Sequence, residues 1–162
     1  MAIVVIFSSS CKEDDPILPD YVGTWVAVEA VPTEVGYVQM KDIMTFTEKS
    51  FTDLAQIQTG TDQWTSIFSM NGTLLVSGNI MNVTITEIGV TSFSGVTGLP
   101  TGVITSYKKG TTEFDELITE NDQPRSFESK YTISGNKMTI QTDQNEDGDY
   151  LDELETTVYT KQ

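Results

Sequence analysis

From Tyr21 onward, apolar and polar residues alternate with a period of two over short runs, the pattern of strands with one buried face. Trp25 to Val31 is the first run, apolar on both faces and ended by Pro32. Met44 and Phe46 then point opposite to Thr45 and Thr47, and Phe51, Ala55 and Ile57 alternate with Thr52, Gln56 and Gln58. Asp53 falls on the apolar face of that run, either as a polar anchor in a pocket or where the strand changes face. Trp64 to Met70 leads to Asn71-Gly72, and Leu74 to Val76 leads to Gly78-Asn79, both read as hairpin turns. Met81, Val83 and Ile85 form the next inward set. Late in the chain Phe127, Tyr131 and Ile133 alternate with polar residues up to Gly135-Asn136. Met138 and Ile140 follow, and a last run places Leu154 and Val158 opposite Glu155, Thr157 and Lys161. Eight to ten short strands joined by hairpins predict an all-β antiparallel sandwich or closed barrel.

Residues 89–126 interrupt this rhythm. Gly89, Gly95, Gly98, Gly102, Gly110 and Pro100 break any long strand, while Phe114, Leu117 and Ile118 share one face of a short helix that Thr112 and Asp115 could help to cap. The segment reads equally as a functional loop or lid and as two poorly formed strands with a loop.

Composition narrows the chemistry. At 162 residues with 38% hydrophobic content the chain suits one domain with one core. A formal charge of −15 disfavours phosphate backbones, so nucleic acid is not an expected partner. One Cys and no His exclude an internal disulfide and Ser-His-Asp or Cys-His catalysis within the chain. With no Gly-rich phosphate loop either, the sequence predicts a protein that is not an enzyme. Only a pair of inward, closely spaced carboxylates would reopen that question.

The N-terminus reads as an export segment. Residues 1–7 are apolar, too short to span a bilayer, and are followed by Ser8-Ser9-Ser10-Cys11. The lack of a basic leader predicts a true start upstream or trimming. Small residues before a Cys resemble the lipobox of bacterial lipoproteins, with Ser8 where that family usually has Leu, Val or Ile. The resemblance implies lipid attachment at Cys11. Lys12-Glu13-Asp14-Asp15 resembles the surface-export signal of Bacteroidetes lipoproteins. The expected organisation is a signal remnant over 1–10, a lipidated tether over 11–20 and a folded domain over 21–162. The expected location is the cell surface at the outer membrane, with the membrane as partner through the anchor.

Gly23-Thr24-Trp25 at the first strand resembles the Gly-x-Trp opening of lipocalins and related calycin barrels, and the runs 131–140 and 155–161 resemble small bacterial lipocalin-like domains. The resemblance implies an up-and-down antiparallel barrel in which the Trp closes one end and an inner cavity takes a small apolar or amphipathic ligand. Met44, Phe46, Phe51, Ile85, Phe127 and Tyr131 would line that cavity or fill it. Trp25 and Trp64 are expected in the core. The alternative function is a structural or interaction module of a surface assembly, with no small ligand.

No cofactor is required by these residues. Asp143, Asn145, Asp147 and Asp149, with Gly148 at the sixth place, resemble an EF-hand calcium loop, but its twelfth place holds Leu154 rather than Glu. The same residues suit an acidic hairpin turn, the favoured reading.

Overall fold

Nine strands and one short helix form from the alternating runs. The computed structural model describes residues 18–33, 36–59, 63–120, 124–143, 150 and 155–162. The strands are β1 (Gly23–Thr33), β2 (Gly36–Phe46), β3 (Ser50–Gln58), β4 (Trp64–Ser77) and β5 (Ile80–Phe93), then β6 (Pro100–Lys108), helix α1 (Thr112–Glu120), β7 (Ser126–Ser134), β8 (Lys137–Thr142) and β9 (Thr156–Lys161). All pairings are antiparallel. β1 to β5 pair in sequence, β5 continues to β7, β8 and β9, and β9 returns to β1. Eight strands therefore close a barrel. The expected all-β, up-and-down, lipocalin-like barrel with a short helix is the fold observed.

The extra strand comes from the Gly-rich stretch. β5 pairs with β7 over Ile80–Thr84 and with β6 over Glu87–Phe93, so its edge passes from one neighbour to the other. The segment is thus a hairpin and a helix. Gly89 does not break β5. A Cβ there would run into Ile104 Cγ2 and Ser69 Oγ, so the glycine is where side chains of both neighbouring strands close over the backbone.

Three other expectations are corrected. Asn71-Gly72 is no turn: β4 runs through it, with a register shift against β5 between the two residues. A Cβ on Gly72 would meet the Thr84 carbonyl oxygen and Phe51 Cε1, so the glycine serves a bulge and a close approach. Gly72→Ala is expected to cost about 1–3 kcal/mol in urea unfolding, because backbone cannot yield as a flexible side chain can. Full retention of stability would show that the bulge relaxes. Pro32 does not end β1, which continues to Thr33; β9 pairs only with Trp25 and Val26, leaving the far half of that edge free of ladder bonds to β9. In β9 the inward residue is Tyr159, 3% exposed, while Val158 is 48% exposed. The pairing of Trp25 with Lys161 sets this register, since it puts residues 159 and 161 on the inner face.

α1 lies against β5 and β6 and places Phe114 and Ile118 in the core, with Leu117 packed beside them. Its first-turn bond comes from Thr111, whose Oγ1 accepts from the Phe114 N–H at 3.3 Å, one residue earlier than expected. Asp115 instead accepts from Arg125 at 2.9 Å, an exposed contact of small energetic weight.

Candidate functional site

The barrel has a packed end and an open end, and register tells them apart. Opposed residues in a ladder share a face. One inward row runs Trp25, Met44, Asp53, Met70, Ile88 across β1 to β5, and the next runs Ala27, Asp42, Ala55, Phe68, Val90. Below the first row Phe46, Phe51, Leu74 and Ile85 are buried. Above it the inward-facing Met40, Ala55, Ile57, Phe68 and Val90 all stay partly exposed. Side chains that point inward yet still touch solvent mark an interior that is open at that end.

Trp25 closes the other end. It is fully buried, and its Nε1–H donates to the Tyr21 carbonyl at 2.8 Å. Lys161 Nζ sits 5.0 Å from the ring centroid and donates to the Asp20 carbonyl at 3.1 Å. Tyr131 packs edge-on to Tyr21 with centroids 6.0 Å apart. The end that the Gly-x-Trp resemblance assigns to the tryptophan is therefore built from both termini of the barrel.

Between the two ends lies a group of polar side chains on the inner wall. Asp42 and Asp53 both face inward on adjoining strands, close enough for each acid to act on the other. Tyr159 donates its hydroxyl to Asp42 Oδ2 at 2.5 Å. Alanines explain how these three groups meet. The pairing of Val26 with Thr160 puts Tyr159 beside Ala27, which separates it from Asp42. Ala27 is small enough for the phenol to reach across β1. Ala55 flanks Asp42 on the other side, so the acid stands between two short side chains.

The electrostatics are one-sided. Burial, then the hydrogen bond to Asp42, then its charge push the Asp53 carboxyl well above the usual carboxylate range. Burial first, then the charge of Asp42 and the bond to it, hold the Tyr159 phenol above its ordinary range, with Asp53 and Glu29 adding to this. Asp42 Oδ1 and Asp53 Oδ1 are buried and receive no N–H or O–H among the described residues. Burial beside a second acid therefore favours the protonated form of Asp53. The described basic groups lie elsewhere. Lys41 sits over Trp64, Lys130 over Tyr150, Arg125 pairs with Asp115, and Lys161 is at the closed end. Lys49, Lys108, Lys109 and Lys137 are exposed. Chemically the pair can take up or release a proton, or hold a positive charge.

Of the residues expected around the cavity, Phe46, Phe51 and Ile85 are buried in the core, and Met44, Phe127 and Tyr131 pack half-buried against it. Met44 stands directly opposite Asp53. Trp64 is not in the core; it lies half-exposed on the outer face with Lys41 Nζ 4.3 Å from its ring centroid. Asp53 was visible in the sequence as an acid on an apolar face. Asp42 was not, because no alternation marks 40–43, and Tyr159 was hidden by the opposite assignment of β9. Cys11, Lys12, Glu13, Asp14 and Asp15 lie outside the described residues, as do Asn145, Asp147 and Asp149. Asp143 is described, at the end of β8. Among the described residues no three Cys, Asp or Glu side chains cluster to hold a metal, and no helix is long and apolar enough to cross a membrane. Compared with family models and with curated proteins, the chain matches none.

Proposed function

We propose that this chain is the binding domain of a cell-envelope lipoprotein, tethered to the outer membrane through Cys11 and holding a small apolar or amphipathic ligand in the open half of its lipocalin-like barrel. The observation that carries the ligand reading is the inward-facing but partly exposed set Met40, Ala55, Ile57, Phe68 and Val90, level with Asp42 or beyond it. Apolar walls with a few convergent polar groups are the usual make-up of small-molecule sites. Native mass spectrometry of protein purified from its own envelope, with thermal-shift screening of lipids and glycan fragments, tests it. A co-purified ligand, or a melting shift by one apolar class, is the expected result. No shift with any of them would overturn the reading.

The tether rests on the apolar run, the small residues before Cys11 and the charged segment after it. Cys11→Ser in the native host is expected to move the protein out of the membrane fraction. Replacing Glu13, Asp14 and Asp15 with Ala is expected to reduce surface labelling while leaving membrane partition intact. Unchanged partition of the Cys11 variant removes the anchor.

One observation favours a second reading, an interaction module. The β5–β6 hairpin exposes Phe93, Val96, Leu99 and Val103 at 65%, 96%, 52% and 66%. Apolar residues clustered on one hairpin are a common mark of a contact surface. Size-exclusion chromatography of the native envelope complex, with and without Val96→Ser, separates this module from a freely acting binder.

A further inference from the structure

The acid pair gives the ligand a chemical class. We infer that the barrel takes a small organic cation, an ammonium or amidinium group on an apolar body, with the positive group held between Asp42 and Asp53. The inference rests on the ligand-binding reading above and deepens it.

Three observations carry it. First, Asp53 is 7% exposed, faces the interior, and its Oδ1 receives no N–H or O–H from the described residues, as is true of Asp42 Oδ1. Second, the groups facing the pair on every neighbouring strand are neutral or acidic. β1 offers Ala27 and Glu29, β4 offers Met70 and Phe68, and β9 offers Tyr159, whose proton is already given to Asp42. A carboxylate or phosphate ligand would meet only negative charge there. A neutral alcohol could donate one hydrogen bond but would leave the charge unpaired. Third, Ala55 is a short side chain beside Asp42, and the walls around the pair are Met44 and Met70 level with Asp53, Phe68 level with Asp42 and Met40 beyond it, polarizable side chains that suit the apolar body and aromatic contact of a cation.

The pair also sets how binding responds to pH. Without a cation, burial beside Asp42 favours a proton on Asp53. An ammonium group supplies the charge that lets Asp53 ionise, so the cation enters intact, the Asp53 proton leaves to solvent, and no C–N or C–O bond changes. Uptake of one cation with release of one proton makes affinity rise about tenfold per pH unit while the pair holds its proton. It levels off once Asp53 is ionised without the cation.

The test is isothermal titration calorimetry of the folded protein with n-octylammonium, n-octanol and n-octanoate between pH 5 and pH 9. Octylammonium is expected to bind most tightly and to tighten with pH. Asp42→Asn and Asp53→Asn are each expected to weaken it at least about tenfold while leaving octanol affinity within a factor of about two. If octanol or octanoate binds as tightly as octylammonium with no pH trend, the cation proposal is overturned and the apolar cavity stands. If none of the three binds, both fall. Should either asparagine variant fail to fold, the pH trend of the unaltered protein decides alone: a flat profile for octylammonium overturns the proposal.

Discussion

Trp25→Ala is expected to lower unfolding free energy by about 3–5 kcal/mol, the range for deleting a fully buried large aromatic. Domains of this size are stable by only about 5–15 kcal/mol, so the variant should sit near the edge of folding at room temperature. The loss has two parts. The larger is the cavity left where the indole fills the closed end beside Tyr21, Phe46 and Phe51, all buried. The smaller is the Tyr21 carbonyl, which loses its Nε1–H donor. Trp25→Phe separates them, because it keeps most of the ring volume and removes only the donor and part of the contact area. It should cost about 1–2 kcal/mol. Urea unfolding followed by far-ultraviolet circular dichroism measures both without depending on tryptophan emission. Equal losses in the two variants would mean that the hydrogen bond, not the packed ring, holds that end closed.

How legible this was in the sequence differs between the two ends of the barrel. The closed end was readable because its residues obey a strict period of two: Phe46, Phe51, Met81, Val83, Ile85, Met138 and Ile140 were all placed inward, and all are buried. Errors arose where one residue type serves two purposes. Asn71-Gly72 carries the composition of a tight turn, yet here the glycine admits Phe51 and the Thr84 backbone at a bulge. Val158 looked inward because apolar residues usually are, but Lys161 over Trp25 fixes the opposite register. The open end was harder for a related reason. Its inward positions mix Met, Ala, Asp and Tyr, so they produce no clean alternation, and a site that must admit a ligand gives up the uniform apolar pattern that makes strands recognisable. Asp53 alone broke its pattern visibly. Asp42 and Tyr159 became meaningful only through strand pairing, which brings residues 42 and 159 together across 117 positions of chain.

Asp53→Asn is expected to stabilise the protein increasingly as pH rises. The folded carboxyl is held well above its unfolded value of about 3.9. Between those two values the folded state binds more protons than the unfolded one, so stability falls with rising pH. The contribution is fully present below about pH 4, is lost through the folded pKa, and stays lost above it. The asparagine amide of the variant would donate an N–H to Asp42 at every pH and never ionise. The two proteins should therefore have matching stability near pH 4, and each pH unit above that, up to the folded pKa, should add about 1.4 kcal/mol in favour of the variant. Self-repulsion among the other acids of this −15 chain also grows with pH, but it acts on both proteins alike and cancels in the difference. Urea midpoints measured from pH 4 to pH 8 at fixed ionic strength provide the comparison. Parallel curves would show that Asp53 gives up its proton in the folded barrel as readily as in the unfolded chain. The raised Asp53 carboxyl would then have to be abandoned, and with it the proton release on cation binding.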